Sequence, residues 1–386
     1  VTMDHKVSLV RCGSYDAAQV QAAVEEAVRL LGGIERFVRP GEKVLLKPNL
    51  LTDAAPEKGV DTHPEVVRAV IRLLRPLTTN IFCGDSPSVW GEKKDVNRVY
   101  EVSGIKKICE EEGVELVYFS RSRLVGGYPL TPWAFSCDRL INVPKFKTHG
   151  FTILTACLKN LFGLVVGMHK MKIHFDHPRA LDLSRVIVDI YEARRPDLNI
   201  VDGITAMEGD GPGSAGTLKH MGLVAAGGDG VCVDVVLAHL MRLDGFAVPT
   251  NREASRRGLG PRRLQDIEVL GGPLGDFTAE SFRLPKASIL ARLPRMPKAL
   301  SRFLMAFLSL KPYVEASHCK LCGICRKSCP TGAIRLDAGR VRFYRSRCIL
   351  CLCCQEVCPH GAIDVRKNSF LRLIKRFRNA GKRARR

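Results

Sequence analysis

No stretch of this sequence is long and apolar enough to cross a membrane. The most apolar run, Ile153–Met168, is interrupted by Lys159 and Asn160 and is shorter than the ~20 residues that a spanning helix needs. No apolar leader follows Val1–Lys6, so no secretory signal is expected, and the cytoplasm is the expected compartment. No Gly-rich loop ends in Lys-Ser or Lys-Thr, which removes the P-loop signature. Acidic residues are missing from 281–314 and from 366–386, whereas acid and base balance over 1–280. The net charge of +21 therefore lies in the last quarter of the chain. A uniformly basic nucleic-acid binder is not distributed this way, and no readout motif accompanies the charge, so nucleic acid is not an expected partner. What is present is a 386-residue chain, 46% apolar and 26% charged, with enough core for two or three domains.

Fifteen cysteines are present, nine of them between Cys319 and Cys358. Without a secretory signal they do not suggest a disulfide framework. Cys319-x2-Cys322-x2-Cys325-x3-Cys329-Pro330 repeats 29 residues later as Cys348-x2-Cys351-x2-Cys354-x3-Cys358-Pro359. The repeat extends to Thr331-Gly332-Ala333-Ile334 against His360-Gly361-Ala362-Ile363. Structural zinc is the plain alternative, but it prefers separated pairs closing one tetrahedron. Cys353 falls at a variable position and is not expected to be a ligand. Cys12, Cys83, Cys109, Cys137, Cys157 and Cys232 read as small buried hydrophobes.

The segment closely resembles bacterial two-cluster ferredoxins, in which the fourth cysteine of each run crosses to the other cluster. That resemblance implies two [4Fe–4S] clusters. Cys319, Cys322, Cys325 and Cys358 would hold one; Cys348, Cys351, Cys354 and Cys329 would hold the other.

Over residues 1–280, strand-like and helix-like patterns alternate, among them a helix around Val96–Glu112 and a strand at Val114–Phe119, which predicts an α/β fold with a largely parallel, doubly wound sheet. A basic Pro-rich linker with one amphipathic helix is expected at 281–314, a ferredoxin-like α+β two-cluster module at 315–365, and a basic amphipathic tail at 366–386. Ligands of such sheets gather at the carboxyl ends of strands. There, period two places Lys145, Lys147 and His149 on one face of an extended chain, a pattern suited to an anion or to a solvated strand end. Lys159 interrupts an apolar run, where an unpaired charge is costly unless it faces a site. His149, His169, His174 and His177 cluster within 29 residues, enough for acid–base chemistry or a further metal. Asp202 ends a strand, and Glu208 opens an acidic glycine-rich loop. Lys47-Pro48-Asn49 and Gly84-Asp85-Ser86 follow strands that can face the same cleft.

Lys47-Pro48-Asn49-Leu50, Asn142 through His149, Leu158-Lys159-Asn160-Leu161-Phe162-Gly163 and Asp202-Gly203-Ile204 with Glu208-Gly209-Asp210-Gly211-Pro212 resemble the DUF362 family over roughly residues 5–275. That family, of unknown function, is often fused to a two-cluster ferredoxin module. Its name carries no reaction, so the resemblance bears on architecture and on the choice of site residues.

These features point to an iron–sulfur redox protein relaying electrons between a redox partner protein or low-potential donor and an anion site on the α/β domain, as a reductase of a small anionic metabolite. Lys145, Lys147 and Lys159 would bind substrate; His149, His169 or His174 would move protons; Asp202 or Glu208 would orient them or hold a metal. Two rivals stay open: a non-catalytic carrier or assembly component whose α/β domain docks a partner, and a hydrolase or ligase with structural clusters. Phe370, Leu373, Ile374 and Phe377 form a stripe with a cationic rim, as do Leu300, Phe303, Leu304, Phe307 and Leu308. Both predict peripheral membrane contact at the inner face. Anaerobically purified protein is expected to contain about eight irons and eight inorganic sulfides per chain; zinc-loaded, iron-free protein would overturn this.

Overall fold

In the computed structural model, residues 5–87, 93–287 and 311–366 are described. The amphipathic stripe at 300–308 and the tail from 367 onward lie outside them.

The N-terminal part is built on one sheet. Its strands are β1 (Lys6–Arg11), β2 (Val44–Pro48), β3 (Ile81–Cys83), β4 (Glu115–Leu116), and, after the hairpin β5 (Arg123–Val125) and β6 (Tyr128–Leu130), β7 (Arg139–Val143), β8 (Lys145–His149), β9 (Ile153–Thr155), β10 (Leu198–Gly209), β11 (Gly216–Gly227) and β12 (Glu268–Leu270). The order is β12-β1-β11-β10-β7-β2-β3-β4, with β8 on β10 and β9 on β8. Every pairing is parallel except those of β11 with β1 and β10, and of β9 with β8.

Alternate residues of the central strands feed two cores. Val44, Leu46, Ile141, Ile200 and Val224 pack on one face with helices Ala17–Leu30 and Pro64–Leu74. Leu45, Leu140, Val201, Leu223 and Ala225 pack on the other with helices Ala180–Ala193 and Gly230–Leu240. The sheet is thus doubly wound. Ala17–Leu30 shows why its sequence makes a helix: Val20, Ala23, Val24, Ala27 and Val28 recur at three- and four-residue spacing and are buried, and Asp16 caps the start by accepting from the Gln19 N–H.

Two local expectations need correction. The single helix read over Val96–Glu112 is two, Lys93–Val102 and Ile105–Glu111, because Gly104 adopts a left-handed conformation (φ 77) between them. The strand read at Val114–Phe119 shrinks to the two-residue edge strand β4.

Pro144 interrupts the line of β7, and β8 resumes it beside β10: Asn142 pairs with Asn199 and Lys145 with Asp202. From β2 the chain winds outward through β3 to β4, then returns to β7 on the other side of β2. The carboxyl ends of β2 and β7/β8 therefore flank a topological switch point, where open α/β sheets leave a crevice.

The C-terminal module pairs β13 (Lys311–Val314) with β16 (Ile363–Arg366) and β14 (Ile334–Asp337) with β15 (Arg340–Phe343). Short helices Ile324–Lys327 and Cys353–Glu356 carry the cysteine runs. No helix among the described residues is long and apolar enough to cross a membrane. Leu46 is fully buried in the middle of the sheet; Leu46→Ala is expected to cost about 2–5 kcal/mol, measured by denaturant unfolding.

Candidate functional site

The repeat in the cysteine runs is also a repeat of backbone. Leu321 and Leu350 have φ 55 and 57, and Gly323 and Leu352 have φ 77 and 62. The Ala333 N–H donates to the Cys329 sulfur (3.1 Å), as the Ala362 N–H does to Cys358 (3.3 Å). The two loops enclose two cavities of about 350 Å³ each. One is lined by Cys319, Cys322, Cys325 and Cys358; the other by Cys329, Cys348, Cys351 and Cys354. In each, the fourth cysteine arrives from the opposite run.

The donor sets fit a cluster better than one ion. Four sulfurs around a single zinc lie about 3.8 Å apart. No cysteine quartet has even three sulfurs within 4.8 Å of one another; among the described residues only His5, Asp229 and Cys232 form a set that tight. All-thiolate sites that are too wide for one ion suit a [4Fe–4S] cubane, and backbone N–H bonds to the sulfurs are a known influence on its potential.

A second feature lies where the module meets the sheet. A cleft of about 820 Å³ opens at the switch point. From the α/β part it is lined by Asn49, Asp85, Lys147, His149, Lys159, Lys170 and His174, and from the module by Cys353, Glu356 and Val357. Docking is close. Leu352 in its left-handed conformation lies over Gly150, and Gly213 sits against the Glu356 carbonyl, where an added Cβ would come within 2.3 Å. Leu352 also packs with Ala287 and Val365.

Lys47, fully buried, forms a 2.7 Å ion pair with Asp85. Asp85 also accepts from the Leu50 and Ser86 N–H groups. Asn160 ties the end of β2 to its surroundings: its amide donates to Asn142 Oδ1 (2.8 Å), and its oxygen accepts from Asn49 (2.9 Å) and Lys47 (3.3 Å). Gly163 must be glycine here, since a Cβ would fall 2.1 Å from Asp85 Oδ1. The Leu-Lys-Asn-Leu-Phe-Gly run is thus a lock for the buried pair, with Lys159 turned to the cleft.

Of the sequence-predicted residues, Lys147, His149, Lys159 and His174 converge on the cleft. Lys147 donates to the Val60 carbonyl; burial lowers its pKa, opposed by the nearby Asp61 carboxylate. Burial also lowers Lys159, against the attraction of Glu356, and its ammonium lies 4.8 Å from the Phe162 ring centre. His149 Nδ1 accepts from the Phe151 and Thr152 N–H groups (3.0 and 3.2 Å). Its proton is therefore on Nε2, 3.1 Å from Glu356 Oε1. Gaining a second proton would set an N–H against two N–H groups, so His149 is a fixed donor and not a shuttle. Its pKa is lowered, chiefly by burial. Buried His174 is lowered to about 4, again by burial, and its Nδ1 has no hydrogen-bond partner.

The other four are elsewhere. Lys145 and Asp202, both buried, pair at 2.7 Å, and Asp202 also accepts from Tyr15 (2.8 Å) and the His63 N–H (2.9 Å). Its acceptor positions are taken by the protein's own donors. Glu208 accepts from the backbone and side chain of Arg283 (2.9 and 2.7 Å), and Lys286 bridges Asp210 and Asp364 (3.0 and 2.8 Å). The acidic loop thus anchors the chain between the two parts. His169 is exposed and does not line the cleft.

Sequence reasoning missed Lys170 and Glu356. Lys170 donates to the Ser86 carbonyl, and burial lowers it to about 7. Glu356 lies inside the cysteine run, where metal ligation explains the pattern without it. Burial would raise its carboxyl, but the His149 and Lys159 groups outweigh that and hold it well below the usual range.

This doubly wound α/β domain with a cysteine-walled module docked on its switch point matches two family models. They are a domain of unknown function (DUF362) over residues 44–239 and a 4Fe-4S dicluster domain over residues 318–362. The chain belongs to the DUF362 family and carries a C-terminal [4Fe–4S] ferredoxin-type domain for iron–sulfur electron transfer. It is similar to the thylakoid-associated protein sll1697 of Synechocystis sp., 35% identical over 293 residues, covering 74% of this chain and 89% of that protein. Among solved structures it resembles the lactate racemase apoprotein from Thermoanaerobacterium thermosaccharolyticum, with TM-score 0.41 and 13% identity over 61% of this chain. The match spans 57% of that structure's length.

Asp202→Ala leaves buried Lys145 without its carboxylate and is expected to cost about 3–5 kcal/mol. Denaturant unfolding checks this; an undiminished stability with a lost anion response would move Asp202 into the site.

Proposed function

We propose that the protein holds two [4Fe–4S] clusters, one in each four-cysteine cavity, and exchanges electrons with a small anion bound in the cleft. One observation carries this reading. The short helix that brings Cys354 to a cysteine cavity also presents Cys353 and Glu356 as a wall of the cleft. When bound, the clusters supply one-electron transfer.

The chain's own groups define what the cleft accepts. Lys47 is neutralised by Asp85, Lys147 faces Asp61, and Lys159 faces Glu356. Lys170 bonds only to a carbonyl among the described residues, so its charge is left for an occupant. A carboxylate or phosphate beside it would raise its pKa and bind as the ammonium forms. His174, neutral at pH 7, can hand a proton to the occupant or take one from it, while His149 Nε2 lies 3.1 Å from the Glu356 carboxylate. A reductase of a small anion fits this arrangement; in the alternative, the α/β domain docks a partner and turns nothing over.

The test is anaerobic reoxidation of the reduced protein by a panel of small carboxylate and phosphate oxidants. Lys159→Ala is expected to slow reoxidation by at least about tenfold with the cluster spectrum unchanged. Lys147→Ala should do likewise. Reoxidation by no member of the panel supports the carrier alternative. Anion affinity is expected to fall as pH rises through about 7, because Lys170 loses its proton there; Lys170→Arg should flatten that profile.

A second part of the proposal concerns the tail. Its basic apolar stripe and the thylakoid-associated relative support contact with an anionic membrane surface. Full-length protein is expected to co-sediment with anionic liposomes, less so as salt rises, and deletion of 367–386 should remove most of the binding. Equal sedimentation of both forms would reject it.

A further inference from the structure

The two halves of the cysteine repeat have the same backbone but opposite surroundings. In the second half, Cys351 and Leu352 are buried, Leu352 against Gly150 of the α/β part. In the first half, Cys322, the match of Cys351, is exposed, and Leu321, the match of half-buried Leu350, is 44% exposed. The flanking residues have diverged accordingly. Lys320, Arg326 and Lys327 of the first half stand where the second half has Ile349, Gln355 and Glu356. All three basic residues are exposed, as are Arg340 and Arg342 on either side of Val341, which lines the first cavity.

None of these five is ion-paired to a carboxylate among the described residues. The neighbouring stretches 281–314 and 366–386 contain no acid that could neutralise them. A solvent-facing thiol loop carrying an apolar tip inside an unpaired cationic rim has the composition of a transient redox interface.

We infer that the first-half loop, Leu321 and Cys322 within the rim of Lys320, Arg326, Lys327, Arg340 and Arg342, is the docking surface for an acidic one-electron carrier protein. This rests on the electron-transfer reading above and gives the module a polarity: the carrier meets the Cys319/Cys322/Cys325/Cys358 side, and the anion meets the other. At docking, one electron leaves the reduced carrier, which is oxidised, and enters this protein, which is reduced. No bond forms or breaks. Opposite charge steers the encounter, so the effect belongs mainly to low ionic strength.

The test is calorimetric binding of the full chain to an oxidised acidic two-[4Fe–4S] ferredoxin, which reads association independently of turnover. Binding is expected at low salt and should weaken by about tenfold or more between 20 and 200 mM salt. The triple substitution Lys320→Glu, Arg326→Glu and Lys327→Glu should abolish it with cluster absorbance unchanged. Arg262→Glu, on an exposed turn of the α/β part, should leave it intact, as should deletion of 367–386. Lys327→Glu alone, expected to weaken binding several-fold, carries the test if the triple variant disturbs the module. Binding that is indifferent to these reversals, or that is lost with the tail, would overturn the inference. Because the anion test reads reoxidation and this one reads association, either can fail without the other.

Discussion

Four lysines are brought under cover at the carboxyl edge of one sheet, and each needs an opposing carboxylate. A buried charge without a partner is among the costliest features a fold can carry. Lys47 and Lys145 close 2.7 Å ion pairs with Asp85 and Asp202, and Lys147 feels the attraction of Asp61, all from the α/β part. The fourth, Lys159, is opposed by Glu356, which the cysteine module supplies. Lys159 therefore meets its carboxylate only when the module is docked. Gly150, Gly213 and the acidic loop make that docking possible by admitting the other part's Leu352 side chain and Glu356 backbone at close range.

This constraint changes the meaning of the conspicuous motifs. The glycine-rich acidic loop has the look of a ligand cradle, but its carboxylates hold Arg283 and Lys286, and Gly213 at its end lies against the Glu356 backbone of the module. The Asn-Val-Pro-Lys-Phe-Lys-Thr-His run divides its duties along β8. Lys145 closes a structural ion pair, and Lys147 and His149 reach the cleft. His174 keeps a buried nitrogen, Nδ1, without a hydrogen-bond partner, whereas His149 is pinned at Nδ1 by two backbone donors and turns Nε2 toward Glu356.

The internal repeat shows how one local structure serves two surroundings. Leu352 accepts a left-handed backbone, where its counterpart is Gly323. A side chain in that region costs on the order of 1–2 kcal/mol, and here it is the side chain that packs under Gly150. Lys327 and Glu356, equivalent by sequence, face solvent and a buried cation respectively. The electrostatics of each half follow from what covers it.

The alternation of strands and helices, the cysteine spacing and the charge asymmetry are local properties, and they were legible residue by residue. Period two alone placed Lys147 and His149 together, and the cost of a buried charge singled out Lys159. Gly104 split a helix that periodicity ran together, because left-handed breaks carry no apolar signal. Which carboxylate meets which lysine is not local: Lys145 and Asp202 are 57 residues apart, and Lys159 and Glu356 nearly 200. By itself the sequence determined the strand–helix alternation, the two repeated cysteine runs and the gathering of basic residues at the strand ends, since these rest on spacing and residue type; the crossing of the cysteine sets came from the resemblance and is seen in the two cavities. Only the tertiary structure decided that Asp202 and Glu208 serve the scaffold, that Lys170 joins the site and that Glu356 closes it. Those assignments depend on how far each charge is buried and on what the fold brings within reach of it.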